Sequence, residues 1–434
     1  MTMEQKILAL ANRRADAAEV FGEEADRTVV EFRGGKLHSQ ETRLTRGYGL
    51  RVIKDGKIGF CSSTDPDRIN ELTDAALDTS VLGKPAQFEF PEAEKGPEVK
   101  VFDNRVMLVS VRRMVNWGKN LIDIMHARVP DVKLDLTFTR TYREIKVKNS
   151  SGLDVGFERA EFDLWITGLL VDGGLVWIPD YVNLSNGHPL QFEPLADRLE
   201  RQAKVAKQKA KLTSGTYPVI VMPTALPSML VALKFGVNGK QREKGTSPLI
   251  GKEDEKILDE NLTILDNPLH SFGLASSPFD GEGVARHRNV LFDKGVFKGF
   301  LFDLATAAAC KCECTASARR GYSRPPVPDI TNFEITSGKN DFEKLVQETK
   351  EGLLVYEFLG GGQSNIMAGD INLNVTSGFK IEGGEIVGRV KDVMVTGNLY
   401  KMLEKVEVGS AQQDLGNYFL PFVRFPALKV ATKE

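Results

Sequence analysis

The stretch Tyr217-Pro218-Val219-Ile220-Val221-Met222 divides the chain into two regions of different character. Its apolar residues run without polar interruption, and a run this short reads as a buried strand. Ala225 to Phe235, just behind it, suits a helix. Beyond that, short apolar segments alternate with glycine-bearing turns, and long helical patterns are few. Residues 215–434 are therefore expected to form a large, mostly β carboxy-terminal domain. No fixed-period repeat appears, which argues against a solenoid or a propeller.

Upstream, helices and hairpins mix. Leu190 to Lys211 is helical and rich in Lys, Arg and Ala, with its basic residues read as a solvated face. Val132 to Trp177 is strand-like, with turns expected at Asn149-Ser150-Ser151-Gly152 and Asp172-Gly173-Gly174. Val106, Val109, Met114, Trp117, Leu121 and Ile124 predict one long amphipathic helix over Asn104 to Ala127. Gly83 to Lys100 carries Pro85, Pro91 and Pro97 and reads as a connector. Nearer the start, Gly34-Gly35 and Asp55-Gly56 are hairpin signals. Thr2-Met3-Glu4-Gln5 is a capping box. Asp65-Pro66 predicts a helix through Ala76 with Pro at its first position. The fold class is α+β: an amino-terminal α+β unit over 1–95, a middle α+β region over 96–214 packed with it, and the β-rich domain over 215–434.

Of 434 residues, 57 are Lys or Arg and 59 Asp or Glu, a net charge of −2. Such balance argues against direct nucleic-acid binding by the whole chain. Hydrophobic residues make up 41% and charged residues 27%, ordinary globular usage that excludes wholesale disorder. No apolar stretch reaches the roughly 18 residues a membrane helix needs. Met1 to Arg14 lacks the order of a signal peptide, and a reducing cytoplasm is expected for a chain with four cysteines, three of them within five residues.

Those three, Cys310, Cys312 and Cys314, alternate. On a strand successive thiols would stand about 7 Å apart. Ligands at about 2.3 Å from one zinc cannot be so spread. Packing as small apolar side chains in a core or beside a turn is the plainer reading. None of His38, His126, His188, His270 and His287 forms a zinc-hydrolase pair, although His270 and His287 share a region and could converge on folding. No G-x-S-x-G elbow occurs. Gly360-Gly361-Gly362-Gln363-Ser364 lacks the lysine of a phosphate loop. Three glycines require positive φ or the close approach of another backbone. A peptide ligand and a tight sheet bulge both satisfy that requirement. Gly360, Gly361, Gly362, Ser364 and Asn365 are the substrate-binding candidates, and no catalytic residue and no metal ligand is assigned.

Ser276-Ser277-Pro278-Phe279-Asp280-Gly281-Glu282-Gly283, followed by Asn289 to Phe300, resembles the signature of the TldD/PmbA family, also called "modulator of DNA gyrase", with Asp280, Glu282 and Gly283 as its marked positions. Ser247 to Lys252, Leu262 to Pro268, Gly369 to Phe379 and Ile381 to Ile386 resemble other blocks of that family. So do Ala18-Glu19-Val20-Phe21, Gly47 to Val52 and Gly59-Phe60, all in the same order. The resemblance implies two subunit types. A TldD type carries H-E-x-x-x-H on a helix and a cysteine near its end, and is a zinc peptidase. A TldE (PmbA) type shares the fold, lacks the ligands and assembles with the first. Here the corresponding helix, Ala225 to Leu233, has no histidine, and the closing segment Leu415 to Pro421 has no cysteine.

The resemblance therefore implies a TldE-type, non-catalytic subunit of a complex that cleaves unfolded peptides. It implies no cofactor in this chain, zinc in a TldD-type partner, and a homodimer when that partner is missing. A stand-alone hydrolase with a site of its own, and a protein-binding module linked to DNA gyrase, are the alternatives.

Overall fold

The computed structural model describes residues 1–172, 175–360 and 364–433. It opens on α1 (Met3–Ala11), held by the reciprocal Thr2–Gln5 cap. Then come β1 (Ala17–Arg33), β2 (Lys36–Lys54), β3 (Lys57–Ser63) and α2 (Ile69–Ser80). After the connector follow α3 (Asn104–Met107), α4 (Val111–Arg128), β4 (Val132–Asn149), β5 (Asp154–Val171), β6 (Leu175–Asn183) and α5 (Phe192–Ala206). The strands form one antiparallel sheet in the order β3-β2-β1-β4-β5-β6. Gly34 and Gly35 (φ 55° and 78°) close the first hairpin, and Asp55 and Gly56 (φ 49° and 69°) the second. Paired positive φ is what a two-residue turn needs to match strand twist. Asn149 Oδ1 accepts from the Ser151 and Leu153 amides in the third turn. Of the fourth expected turn only Asp172 lies among the described residues.

The strands are long enough to serve two cores. One end of β1 buries Ala18 and Val20 against α1 and α2. Its other end buries Val30 and Phe32 against α4. Between them the sheet is polar, with Arg143 paired to Glu23 at 2.5 Å and Arg46 to Glu24.

Two local expectations are corrected. The helix expected from Asp65-Pro66 starts at Ile69 and ends at Ser80, because Asp65 Oδ1 accepts the Asp67 amide at 2.9 Å and turns the chain first. The single helix expected over Asn104 to Ala127 is broken at Leu108–Ser110. Ser110 is extended and caps the Arg113 amide, and Arg140 takes the Val109 carbonyl at 2.6 Å. Cys310, Cys312 and Cys314 pack against the barrel core beside a turn, as the plainer reading has it: Cys310 ends a helix, and Lys311 turns left-handed at φ 53°.

The second region contains β7 (Gly215–Val221), α6 (Leu226–Met229), α7 (Val231–Gly236), α8 (Gly239–Glu243), β8 (Ile264–Asp266), β9 (Asn289–Asp293), β10 (Val296–Phe297) and α9 (Leu304–Cys310). Then come β11 (Ala318–Arg319), β12 (Val327–Pro328), β13 (Phe333–Ile335), α10 (Phe342–Gln347), β14 (Glu351–Gly360) and β15 (Asp370–Glu382). Last are β16 (Glu385–Arg389), β17 (Val393–Asn398), α11 (Leu399–Met402), β18 (Glu407–Asp414) and β19 (Tyr418–Thr432). Pairing of β7 with both β14 and β19 closes β7-β14-β15-β17-β19 into a barrel. Closure removes edges that a β-rich region would otherwise have to cover. The other strands extend from β19 through β13, β8, β9 and β10.

The strand that divides the sequence is buried on both faces. Val219 and Val221 join Leu353, Val355, Met229 and Leu233 in one core. Ile220 joins Leu354, Phe379 and the α5 residues Leu199 and Ala203 in another. The fold is α+β, an antiparallel amino-terminal layer followed by a large β domain with a barrel.

The packing of α2 on β3 gives a direct test. A Cβ at Gly59 would stand 2.0 Å from the Ala76 carbonyl and 2.9 Å from Ser80 Cβ. Gly59→Ala should destabilise by roughly 1–3 kcal/mol, the cost of overpacking against backbone. Thermal unfolding reads it, and an unchanged midpoint would refute the close approach.

Candidate functional site

The loop Ser276 to Gly283 folds around a buried carboxylate. Asp280 Oδ1 accepts from the amides of Glu282 (2.8 Å) and Val284 (3.0 Å), and Oδ2 from that of Ala318 (3.1 Å). Gly283 takes φ 81°, and a Cβ there would meet Leu153 at 2.3 Å. This turn aims Glu282 away from its own loop. Glu282 Oε1 accepts from Arg51 Nη1 at 2.7 Å and Oε2 from the Leu304 amide at 2.8 Å. Arg51 Nη2 donates to Glu19 Oε2 at 2.9 Å, and Arg320 Nη1 donates to the other Glu19 oxygen. None of the four side chains is more than 3% exposed.

Glu282–Arg51–Glu19–Arg320 is thus a buried chain of alternating charge between the six-stranded sheet and the β domain. A buried charge is tolerable when paired and hydrogen-bonded. Arg51 also lies against the rings of both Phe88 (5.1 Å) and Phe90 (4.9 Å), and Arg320 over Phe21 (4.8 Å). The rings cover Arg51 Nε and Arg320 Nε and Nη2, which have no acceptor among the described residues. Burial first, then Asp280, Asp303 and Glu19, push the Glu282 carboxyl up, against the pull of Arg51. Burial pulls the Arg51 pKa down, and Glu19 and Glu282 more than reverse it. Asp280, Glu282 and Gly283 therefore join two parts of the fold, and Glu282 reaches no solvent.

The helix and closing segment to which the resemblance assigns zinc ligands do meet. Ala225, Leu226, Met229, Leu230, Ala232 and Leu233 are all buried in the barrel core. Lys234 Nζ donates to Tyr418 Oη at 3.0 Å and sits 5.2 Å from its ring. An ammonium on an apolar helix and a phenol on the closing strand do not fit zinc, which takes imidazole, thiolate or carboxylate. Nor do the cysteines: burial pushes the Cys314 thiol up to about 12, away from the thiolate a metal needs. Among the described residues no group of three or more His, Cys, Asp or Glu is placed to hold a metal.

His270 stacks on Phe419 with ring centres 3.6 Å apart, and its Nε2 lies 3.0 Å from Glu334 Oε2. Asn267 donates to the same oxygen at 2.8 Å. The His270 hydrogen bond, more than burial opposes it, holds Glu334 down at about 2, and Asn267 adds to the effect. His287 is exposed and shares none of these partners.

Gly360 ends β14 at φ 114° opposite Leu373. Gly361 and Gly362 lie outside the described residues. Ser364 Oγ accepts the Asn372 amide at 2.9 Å, and the Asn365 carbonyl accepts those of Ala368 and Asp370. Gly360, Ser364 and Asn365 line none of the three cavities described next.

Sequence reasoning missed the largest of these, about 550 Å³, between α5 and the barrel. Arg198, Gln202 and Val205 line it at helical spacing, a signal hidden by reading the helix's polar side as solvated. The others, about 290 Å³ beside Arg389 and about 90 Å³ beside Arg320, are smaller.

Residues 214–432 match the PmbA/TldA metallopeptidase C-terminal domain, and residues 18–80 match PmbA/TldA metallopeptidase domain 1. An uncharacterized protein of Methanocaldococcus jannaschii is 26% identical over 427 residues, 97% of this chain and 98% of that protein. Metalloprotease PmbA of Escherichia coli O157:H7 is 26% identical, with 98% and 94% of the two chains covered. The crystal structure of TldE from Thermococcus kodakarensis superposes with a TM-score of 0.92 at 23% identity, covering 99% of this chain and 100% of that one, and so shares the fold.

Two predictions follow the geometry. Glu282→Ala should cost roughly 3–5 kcal/mol, since Arg51 stays buried with one partner fewer. A double-mutant cycle of Glu282 with Arg51 should give a coupling above about 1 kcal/mol, and additivity would contradict the chain of charges. The second concerns pH. Because the Glu334 carboxyl is held below its ordinary range, its contribution to stability is complete above about pH 4.5 and is lost as pH falls toward about 2. Glu334→Gln should flatten the thermal midpoint across that window, and an unaltered slope would count against the His270 contact.

Proposed function

This chain belongs to the PmbA/TldD metallopeptidase family, and on that premise we propose that it is the TldE-type, non-catalytic subunit of a TldD/TldE metallopeptidase complex that cleaves unfolded peptides. The observation that carries this reading is the Lys234–Tyr418 contact, which occupies the meeting point of the helix and closing segment with groups that do not suit zinc. The zinc, and the water it activates, belong on this reading to the TldD-type partner.

A subunit without chemistry of its own contributes shape and support. The buried Glu282–Arg51–Glu19–Arg320 chain suits that role, because it stiffens the joint between sheet and barrel. The β-rich region from Tyr217 onward is the proposed partner surface, and it self-associates into a homodimer when the partner is missing. The glycine-dense loop, with Gly360, Ser364 and Asn365, is proposed to admit peptide as an added strand. Leu359 and Met367, flanking it, are large apolar side chains left 64% and 47% exposed. No helix among the described residues is long and apolar enough to cross a membrane, and the proposed site of action is the cytoplasm.

Purifying this chain alone, a TldD-type chain alone, and the pair tests the proposal. Only the TldD-containing preparations should cleave an unfolded polypeptide, with the pair faster, and elemental analysis should find no stoichiometric zinc in this chain. One tightly held zinc per chain here, or chelator-sensitive cleavage by this chain alone, would overturn it.

A further inference from the structure

The cavity beneath α5 has a built interior that the clamp and the barrel helices do not use. Its floor is apolar: Met222 at the end of β7, Leu354 and Tyr356 on β14, Phe379 on β15 and Ile386 on β16. Its roof is the α5 face bearing Arg198, Arg201, Gln202 and Val205. At about 550 Å³ it falls within the range of small-ligand pockets, about 300–1,000 Å³.

Two polar groups there are uncommitted. Gln202 is 8% exposed: its Oε1 is sealed from solvent, and its Nε2 makes no hydrogen bond to a described residue. A donor left unpaired at a cavity wall is satisfied by a ligand carbonyl. The Tyr356 hydroxyl likewise makes no hydrogen bond to a described residue, although the Tyr356 carbonyl accepts from Thr224 Oγ1 at 2.6 Å. Burial pushes the phenol up to about 12, so it stays a neutral donor.

The rim carries balanced charge. Arg198 is held by Asp180 at 2.9 Å and Lys204 by Glu200 at 2.6 Å. That leaves Arg201, whose side chain makes only a 3.4 Å hydrogen bond to the Asp197 carbonyl, and the exposed Glu343. One charge of each sign gives no field to select a phosphate or a fatty-acid carboxylate.

An apolar floor, two neutral donors and a balanced rim match a large aliphatic or aromatic peptide residue with its flanking carbonyls. We propose that this cavity is a docking subsite for such a residue in an extended peptide, its flanking carbonyls accepting from Gln202 Nε2 and Tyr356 Oη. The proposal deepens the reading above, since the occupant is a stretch of the peptide that the complex would cleave. It gives the non-catalytic subunit a share in substrate selection.

Calorimetric titration of this chain alone with N-acetyl-leucyl-phenylalanine amide tests it. Saturable one-to-one binding is expected, with none for N-acetyl-aspartyl-glutamine amide. Gln202→Leu and Tyr356→Phe should each weaken binding by about tenfold, the worth of one hydrogen bond. Val205→Trp should abolish it by filling the space; the two milder variants decide the matter if that one fails to fold. Absence of saturable binding, or equal affinity in wild type, Gln202→Leu and Tyr356→Phe, would overturn the proposal. So would preferential binding of decanoate, which would make the ligand a lipid-like anion. Because no partner is present, this result is independent of the cleavage assay. Binding without partner-dependent cleavage would remove the complex and keep the subsite, and the converse would do the opposite.

Discussion

Four charges removed from water hold the two halves of this molecule together. Glu282, Arg51, Glu19 and Arg320 alternate in sign, and each carboxylate receives two donors. Burial of this kind makes one arrangement tolerable and its neighbours expensive, because any slip leaves an uncompensated ion in a low-dielectric interior. The six-stranded sheet and the β domain are thereby fixed in register more tightly than apolar contact alone would require. The connector contributes as well, through Phe88 and Phe90 packed together against Arg51.

With that joint set, the barrel works as a two-faced wall. Its inner side chains bury α6 and α7 with Val219, Val221, Leu353 and Val355. Its outer side chains, Ile220, Leu354 and Phe379, meet α5. The two packings do not close completely, and the space left under α5 is the largest cavity described. The helices against the barrel core are largely apolar because most of their residues are buried, and Lys234 reaches the closing strand, at Tyr418.

The segments that carry the family resemblance are, in space, the joints. Glu19 and Phe21 lie in one block, Arg51 in a second, Phe60 in a third, and Asp280 with Glu282 in the signature. Arg320 adds the last charge from a stretch that no motif marked. Marked carboxylates invite a catalytic reading, and here the signature pair closes a turn and pairs a guanidinium.

The sequence by itself determined the α+β class, the change of character at Tyr217 to Met222, the hairpins at Gly34-Gly35 and Asp55-Gly56, and the lack of zinc ligands on Ala225 to Leu233. Each depends on residue type and near neighbours: φ preference, apolar run, donor chemistry. Helix limits were legible only in part, because Asp65 and Ser110 made local hydrogen bonds that periodicity cannot weigh. The Cys310 to Cys314 run packs against the core beside the turn at Lys311, as its small apolar side chains suggest. Only the tertiary structure decided barrel closure, the partners of Glu282 and the cavity at Gln202. Those rest on contacts between residues far apart in the chain, 231 positions for Arg51 and Glu282, and the free energy of burying a charge or leaving a gap exists only once both walls are in place.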